Sequence, residues 1–364
     1  MNMKYRFSTL LFILTLLLST IEPVFAQAKT PLSGINLDVS NRYYSVKQIQ
    51  KYINLAAKAK NGYVQLHFTG DRNVGIECKS LNQIAKKKYR HKNGAFYNPK
   101  TGRSFLSQKQ IQIILAYAEK KKVEIIPEID MPGHMGGFEK LYLLKYKKSN
   151  PKIFHADYQG ELAIRNPQAI SFAKKIYKEY ATLFSDCNYF HMGCDEFWSG
   201  SAKTNASYLN TISEYLEKKG FTVLAWNDLF TKTNISSINH NLLVTYWSYD
   251  GDTCDAATKA RRRKLRASFP LLQEEGFTLF NYNSYYLYLT PSPSTISKED
   301  TEYAVKDAKE NWNLLVWDSD YGKKSKTPAN IAGACISVWG EDSKGVKSSD
   351  IYNQVQKLYE VTLI

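Results

Sequence analysis

Residues 189–198 read YFHMGCDEFW, an apolar run that ends in two adjacent carboxylates, Asp195 and Glu196. A buried strand does not tolerate such a pair, because each charge costs several kcal/mol to remove from water unless a partner compensates it. Neighbouring residues of an extended segment point in opposite directions. We therefore expect a strand that ends at the pair, and two carboxylates that contact different parts of one bound molecule.

Similar short apolar runs occur along the whole chain, and segments with helical periodicity lie between them. The apolar runs are residues 34–39, 63–68, 123–129, 189–193, 222–226, 242–247, 278–282 and 332–339. The helical segments are residues 46–59, 107–121, 167–184, 207–219, 255–274, 298–311 and 348–358. Strands that alternate with helices form parallel βαβ units, and eight such units close into a barrel. The sequence therefore predicts the α/β class, as a single (β/α)8 TIM barrel with insertions in the βα loops after strands two and three.

The N-terminus has the layout of a secretory signal peptide, predicted for residues 1–26. Lys4 and Arg6 precede an apolar run at residues 7–18, and small residues lead to Ala26. Cleavage after Ala26 would leave residues 27–364 as the catalytic domain. No later stretch reaches the roughly 20 apolar residues of a membrane helix. We expect a secreted protein with no transmembrane anchor after processing; retention of the N-terminal segment as an anchor is the alternative.

The chain is strongly basic, with 49 Lys and Arg against 34 Asp and Glu and a formal net charge of +15. The lysines form small clusters on predicted helices, which is typical of solvated faces. The same charge would allow non-specific contact with anionic envelope or matrix polymers, and it predicts no specific nucleic-acid site. The 5 cysteines show no CxxC spacing, so neither a zinc site nor a disulfide framework is indicated. No sustained interface pattern is present, and we expect a monomer.

Polar and aromatic residues collect at the ends of the predicted strands, which is where barrel enzymes hold their chemistry. These residues are Asp38, His67, Glu128, Asp130, His134, His191, Asp195, Glu196, Trp226, Trp247, Trp339 and Glu341. Tryptophan rings stack on apolar sugar faces, and carboxylates accept hydrogen bonds from hydroxyls. For any one tryptophan, a place in the core is an equal alternative, but three at the ends of three different strands predict a sugar pocket.

Several motifs resemble those of glycoside hydrolase family 20, the β-N-acetylhexosaminidases. The two principal motifs are HMGCDE at residues 191–196 and PEIDMPGH at residues 127–134. The others are NPKTGRSFLS at 98–107, WND at 226–228, TYWSYDGDT at 245–253, NYNSYYLY at 281–288 and WGED at 339–342. Their order and spacing are similar to those of family members that hydrolyse the poly-β-1,6-N-acetylglucosamine of biofilms. The resemblance covers nearly all of residues 27–364.

The resemblance implies substrate-assisted retaining catalysis, in which the substrate's own 2-acetamido oxygen attacks the anomeric carbon and forms an oxazolinium intermediate. By analogy, Glu196 is the general acid and base, and Asp195 orients the acetamido N–H. Tyr286 matches the family pattern best as the hydroxyl that bonds the acetamido oxygen, with Tyr288 as the neighbour that shares the role. The remaining substrate-binding residues are Trp226, Trp247, Trp339, Glu341, Asp38, Arg42, His134 and His191. No cofactor and no metal is implied.

The chain departs from the family pattern after strand one, where Asn41 stands in place of an arginine that grips sugar hydroxyls. Either Arg42 serves instead, or the subsite for the terminal sugar has lost a bidentate clamp. Residues 70–72 (GDR) also depart from the most similar members, and Cys194 replaces a glycine. A relaxed terminal subsite would favour internal cleavage of a polymer.

Three alternatives remain open at this point. One is a carbohydrate-binding protein with an impaired family 20 site, and another is a β-1,4-hexosaminidase that acts on chitin-type oligomers. The third is a metal-dependent hydrolase, whose ligands would be His67, His134, His191 and Asp195. No HxH or HExxH spacing supports this third function.

Overall fold

The computed structural model describes residues 31–318 and 323–364, and it contains a closed barrel of parallel strands. The barrel strands are β1 (Leu32–Asp38), β2 (Gly62–His67), β3 (Glu124–Glu128), β4 (Tyr189–His191), β5 (Thr222–Trp226), β6 (Leu243–Tyr246), β7 (Leu279–Asn281) and β8 (Ile331–Val338). Each pairs with the next in order, and β8 pairs with β1 to close the ring. The predicted TIM barrel is confirmed. The predicted signal peptide, residues 1–26, lies outside the described residues.

Helices follow the strands and cover the barrel. They are α1 (Val46–Ala56), α2 (Gln108–Lys121), α3 (Gly136–Tyr146), α4 (Pro167–Leu183), α5 (Ala202–Glu217), α6 (Ala256–Leu265), α7 (Phe269–Glu274), α8 (Ser284–Leu287), α9 (Lys298–Asn311) and α10 (Ser348–Thr362). Side-chain caps fix several starts; Ser45 and Ser107, for example, each form a capping box. None of the helices in the described ranges combines the length and apolar character that a membrane span requires.

Two helical predictions need correction. The single helix predicted over residues 255–274 is two helices, α6 and α7, because Ser268 caps a new start and Pro270 in its first turn cannot donate to a preceding turn. Helix α3 was not predicted. It begins with two glycines, which are weak helix formers, and its buried residues Phe138, Leu141 and Tyr142 lie in a short segment.

The insertions predicted after strands two and three are present. The first, residues 68–107, holds a small hairpin of Phe96–Tyr97 and Ser104–Phe105. The second, residues 129–166, holds α3. Another short strand, Tyr288–Leu289, pairs with the end of β8. These segments lie at the carboxyl ends of the strands and surround the barrel mouth.

A chain of polar side chains passes through the barrel interior toward its mouth. The hydroxyl of Tyr63 lies 3.0 Å from that of Tyr282, and Tyr282 donates to Gln65 Oε1 over 2.6 Å. Gln65 in turn donates to Glu128 Oε2 over 2.7 Å. All four residues are fully buried. Because every member has a partner, the network fixes Glu128 rigidly beneath the mouth.

Candidate active site

The backbone that follows β4 is not extended, and this decides where Asp195 and Glu196 point. Gly193, Cys194 and Glu196 have φ values of 82°, 79° and 39°. The buried carboxylate of Asp130 holds the turn, since its Oδ1 accepts from Cys194 N at 2.8 Å and from Asp195 N at 3.4 Å. The left-handed turn abolishes the alternation of an extended strand. The two carboxylates therefore reach the same side of the mouth, contrary to the expectation of opposite directions.

His134 lies between the two carboxylates and a third one. Its Nε2 is 3.6 Å from Asp195 Oδ2 and 3.8 Å from Glu196 Oε2, and its Nδ1 is 2.9 Å from Asp71 Oδ2. Burial alone lowers the pKa of His134, but its contacts with Asp195 and Asp71 raise that pKa well above the usual value. The imidazole is therefore charged at neutral pH and couples Asp71 to the carboxylate pair.

Both members of the pair have raised pKa values. Burial is the main cause, and the Asp228 carboxylate adds to it, while His134 opposes the rise. Arg262 and Arg266 further oppose the rise at Glu196. A carboxyl group with a raised pKa keeps its proton closer to neutrality, which is what a general acid requires. Asp195 Oδ1 is buried and has no protein hydrogen-bond partner, so it can accept from a ligand N–H.

The floor of the site is a closed network around Glu128. Trp226 Nε1 donates to Glu128 Oε1 over 2.6 Å, and His67 Nδ1 lies 3.0 Å from the same oxygen. Burial raises the pKa of Glu128, but the charge and the hydrogen bond of His67 outweigh it and lower that pKa overall. Trp226 is fully buried. It therefore forms the floor under the pocket, and the expectation that its ring lies open in the pocket wall is corrected.

His191 supports the floor and does not reach the pocket. Its Nδ1 accepts from Gly193 N at 3.0 Å, and its Nε2 lies 2.8 Å from Thr245 Oγ1. Burial lowers its pKa to about 4, so the ring is neutral and donates from Nε2. The prediction of a substrate contact at His191 is corrected, because both ring nitrogens are already used within the protein.

Three aromatic rings form the wall of the site beside Asp195. The ring centroids of Trp247 and Tyr288 are 6.0 Å apart, and those of Tyr288 and Trp339 are 5.5 Å apart. Trp247 Nε1 donates to Asp228 Oδ2 over 2.7 Å, which fixes the ring. Burial raises the pKa of Tyr288 most, and the charge of Asp195 is the next largest cause of the rise. The wall therefore presents a phenol hydroxyl and apolar ring faces to the same pocket.

Tyr286 is not part of this wall, so the preference for Tyr286 over Tyr288 is corrected. Its ring packs against Tyr285, with centroids 4.8 Å apart, and after burial its pKa responds to Asp307 and Tyr303 on the outer helix α9. The short helix α8 turns Tyr286 outward. Tyr288 then enters the strand that pairs with β8, which turns it toward the mouth.

Asp38 and Arg42, two predicted substrate-binding residues, form their hydrogen bonds within the protein. Asp38 is fully buried and accepts five hydrogen bonds, including Gly340 N at 2.9 Å and Asn41 Nδ2 at 2.9 Å. Arg42 donates to Ser343 O at 2.8 Å, to Val346 O at 2.9 Å and to Ser348 Oγ at 3.0 Å. These placements correct both predictions, because neither charged group is left for a ligand.

Glu341 stands at the rim near Arg72, an arginine without a predicted role. Arg72 Nη1 donates to Glu341 O over 3.2 Å, and Arg72 is exposed. Partial burial and the Asp38 carboxylate raise the pKa of Glu341. The Arg72 guanidinium thus contacts the main chain of Glu341 just after β8, whereas Asn41 carries no charge.

No role was predicted for Asp71, Asp228 and Arg266. Asp228 is buried, receives Trp247 Nε1 and forms an ion pair with Arg266. Its position inside the quoted motif WND was the signal that could have found it. Asp71 lies in the stretch 70–72 that departs from the family pattern, which was its signal, whereas Arg266 had none because only the folded chain brings it to the site.

The supposed metal ligands do not converge as one group. Two smaller groups could hold a cation, since their ligand atoms lie within 4.8 Å of one another: His67 with Glu128 and Asp130, and Asp130 with His134 and Asp195. In the first group His67 already pairs with Glu128, and in the second His134 already pairs with Asp195. His191 belongs to neither group.

Comparisons with known proteins agree on one family. Residues 31–355 match the family described as glycosyl hydrolase family 20, catalytic domain. The crystal structure of dispersin B superimposes with a TM-score of 0.87 and 38% sequence identity, covering 92% of this chain and 98% of that one. The matched region of this chain contains every residue of the site described above.

Two curated relatives are more distant and much longer. The lacto-N-biosidase of Bifidobacterium bifidum is 26% identical over 283 residues, which is 69% of this chain and 22% of that protein. The β-hexosaminidase subunit beta of Entamoeba histolytica is 27% identical over 212 residues, or 56% of this chain and 35% of that protein. The chain thus spans about a fifth to a third of the length of these relatives.

Proposed function

The chain belongs to glycosyl hydrolase family 20, and we propose that it is a β-N-acetylhexosaminidase that cleaves β-linked N-acetylglucosamine polymers, with poly-β-1,6-N-acetylglucosamine of biofilm matrix as its substrate. The observation that carries this proposal is the contact of one charged imidazole, His134, with both Asp195 and Glu196 beside the wall of Trp247 and Tyr288. The two carboxylates share a pocket but have separate tasks, as substrate-assisted catalysis requires.

In the first step the acetamido carbonyl oxygen of the substrate attacks the anomeric carbon. The bond from that carbon to the leaving oxygen breaks, and Glu196 gives its proton to this oxygen. Asp195 Oδ1, which has no protein partner, accepts from the acetamido N–H and offsets the positive charge that develops on the oxazolinium ring. The leaving sugar departs with a neutral hydroxyl.

In the second step Glu196, now a carboxylate, takes a proton from water while the water oxygen attacks the anomeric carbon. The bond to the acetamido oxygen breaks, and the product keeps the original β configuration. Glu196 returns to its protonated form. Its pKa is raised mainly by burial, so the group holds its proton to higher pH than a free carboxyl group, which suits the acid role.

The aromatic wall supplies recognition. Trp247, Trp339 and the hydroxyl of Tyr288 surround the acetamido group, and the Tyr288 hydroxyl donates to its attacking oxygen. Arg72 and Glu341 hold the hydroxyls at the non-reducing end in place of the arginine that Asn41 replaces. Because a cation and an anion remain at that end, the proposal includes cleavage from the chain terminus.

The biological setting is proposed from the sequence. The layout of residues 1–26 supports secretion, and the net charge of +15 supports non-specific retention on anionic envelope or matrix polymers. We propose a monomer, because one barrel contains every residue that the mechanism uses.

The test is mass spectrometry of products from the purified protein incubated with β-1,6-linked N-acetylglucosamine oligomers, beside chitin oligomers and a Glu196→Gln variant. Cleavage of the β-1,6 series, abolished in the variant, is the expected result. Preferential cleavage of chitin oligomers would instead support the β-1,4 hexosaminidase. Binding without cleavage by folded protein would support a carbohydrate-binding role. Release of monosaccharide alone indicates terminal attack, and longer fragments indicate internal attack.

A further inference from the structure

Trp198 is an exposed tryptophan two residues after Glu196. Its exposed fraction is 46%, whereas the five other tryptophans, all within the described residues, are buried or half-buried. Its backbone is fixed, because the buried Glu161 carboxylate accepts from Trp198 N at 2.9 Å and from Ser199 N at 3.0 Å. An exposed indole ring on a fixed backbone, two residues from a catalytic group, offers an apolar face on which a ligand can stack.

One face of the Trp198 ring is covered by an arginine. The guanidinium carbon of Arg262 lies 4.7 Å from the ring centroid, and Arg262 Nη1 donates to Asp250 O over 2.8 Å. No carboxylate of the described residues forms an ion pair with Arg262, and its buried Nε has no acceptor. The positive charge also acts on Glu196, whose pKa it lowers against the larger effect of burial. Trp198 and Arg262 thus form one unit next to the acid.

The geometry of the barrel indicates which end of a bound substrate contacts Trp198 and Arg262. Trp198 follows β4 and Arg262 follows β6, whereas Arg72 follows β2 and Glu341 follows β8. Strands pair in chain order around the closed ring, so β4 to β6 lie across the barrel axis from β8 to β2. The reacting sugar lies between the two sides. Since Glu196 protonates the leaving oxygen, the leaving sugar lies on the side of Trp198.

The surface beyond Trp198 has room for further sugars. A depression of about 300 Å³ adjoins it, with Ser199 in its wall together with His155, residues 163–165, Asn166 and Pro167. Arg165 adds a further positive charge to the wall of this depression. A polymer that leaves the pocket past Trp198 would therefore meet a positively charged path.

We propose that the outer face of Trp198 and the guanidinium of Arg262 form the leaving-group subsite, and that this subsite selects an N-acetylated sugar over a de-N-acetylated one. The proposal rests on the proposed function. A free 2-amino sugar carries an ammonium group at neutral pH, and a like charge near Arg262 opposes its binding. Glu196 does not compensate, because the productive enzyme holds it protonated. The acetamido form is neutral and adds apolar contact with the ring.

The test compares two β-1,6-linked oligosaccharides that differ only in the leaving sugar, which is N-acetylated in one and carries a free amine in the other. The wild-type kcat/KM is expected to favour the acetylated oligosaccharide by about five- to tenfold at low ionic strength. Arg262→Gln is expected to bring this ratio close to one, and Arg262→Lys to retain it. Arg261→Gln, the same charge change on the neighbouring exposed residue, is the matched control and should retain the ratio.

Trp198→Ala is expected to lower kcat/KM for the acetylated oligosaccharide about tenfold. The same variant's kcat/KM for methyl N-acetyl-β-glucosaminide should fall much less, because the methanol leaving group is too small to reach the ring. Tyr303→Ala, which removes an exposed ring from the outer helix α9, is the control for surface aromatics. Circular dichroism melting checks that each variant is folded.

The outcomes separate the two proposals. If the wild type cleaves the methyl glycoside and both oligosaccharides, but Trp198→Ala and Arg262→Gln leave the oligosaccharide ratio and rates unchanged, the leaving-group subsite is overturned and the proposed function stands. If the wild type cleaves none of the three, the proposed function fails and the subsite with it. A wild-type preference for the free amine would also overturn the selection by Arg262.

Discussion

The rings of Trp247 and Tyr288 lie parallel, with an interplanar angle of 8° and 6.0 Å between their centroids. This stacking holds the Tyr288 hydroxyl on the side of the pocket where Asp195 stands, while Tyr286 points to the outer helix α9. Two tyrosines separated by one residue thus have different surroundings, and they form a matched pair for mutation.

Tyr288→Phe is expected to lower kcat/KM about 100-fold, because one preorganised donor to the attacking acetamido oxygen is lost. Tyr286→Phe removes a hydroxyl of the same chemistry outside the pocket and should change kcat/KM less than twofold. Steady-state kinetics of the two purified variants checks this. Equal losses in both would contradict the assignment to Tyr288.

Glu196→Gln and Asp195→Asn are expected to differ in their dependence on the leaving group. A poor leaving group needs the proton of Glu196. The kcat/KM of Glu196→Gln should therefore fall about 1,000-fold on oligosaccharides and far less on a 2,4-dinitrophenyl glycoside. Asp195→Asn removes the charge that stabilises the oxazolinium, so it should lose activity on both substrates. A Glu196→Gln loss that is the same for the two leaving groups would exclude Glu196 as the acid.

Asp228→Asn is expected to move the alkaline limb of the kcat/KM profile to lower pH. Burial and then Asp228 raise the pKa of Glu196, so removing this negative charge lowers that pKa. Since the enzyme needs protonated Glu196, activity is present below this pKa and is lost as pH rises through it. Asp342→Asn, next to Glu341, is the control and should leave the limb in place.

His134→Asn is expected to move the same limb in the opposite direction. The charged imidazole lowers the pKa of Glu196, so its removal raises that pKa and extends activity to higher pH. At the same time kcat should fall, because Asp195 loses the contact that orients it. An alkaline limb that stays in place in this variant would show that His134 is neutral.

Arg42→Ala and Arg72→Ala are expected to separate stability from binding. Arg42 donates to two backbone carbonyls and a hydroxyl, so its loss should reduce the free energy of unfolding by about 1–3 kcal/mol. Arg72 is exposed, and its loss should leave the denaturant midpoint unchanged but raise KM for oligosaccharides severalfold. Urea melts and steady-state kinetics test the two variants together. If Arg42→Ala raises KM and leaves stability unchanged, Arg42 contacts the sugar, contrary to the correction made above.

Local patterns determined much of this protein. Each barrel strand lies within a few residues of its predicted run, because parallel strands are buried on both faces and read as short apolar segments. The carboxylate pair, the aromatic residues at strand ends and the family motifs are also properties of contiguous sequence. These motifs all lie within residues 31–355, the region that matches the family.

Tertiary structure alone decided the direction of individual side chains at the barrel mouth. Asp38 accepts a hydrogen bond from Gly340, which is 302 positions further along the chain. Arg42 donates hydrogen bonds to a loop 301 to 306 positions further along. Tyr288 rather than Tyr286 faces the pocket because its backbone pairs with β8. Asp195 and Glu196 share a pocket because Asp130 holds a left-handed turn. Such directions follow from hydrogen bonds between distant segments, which no local period of the sequence records.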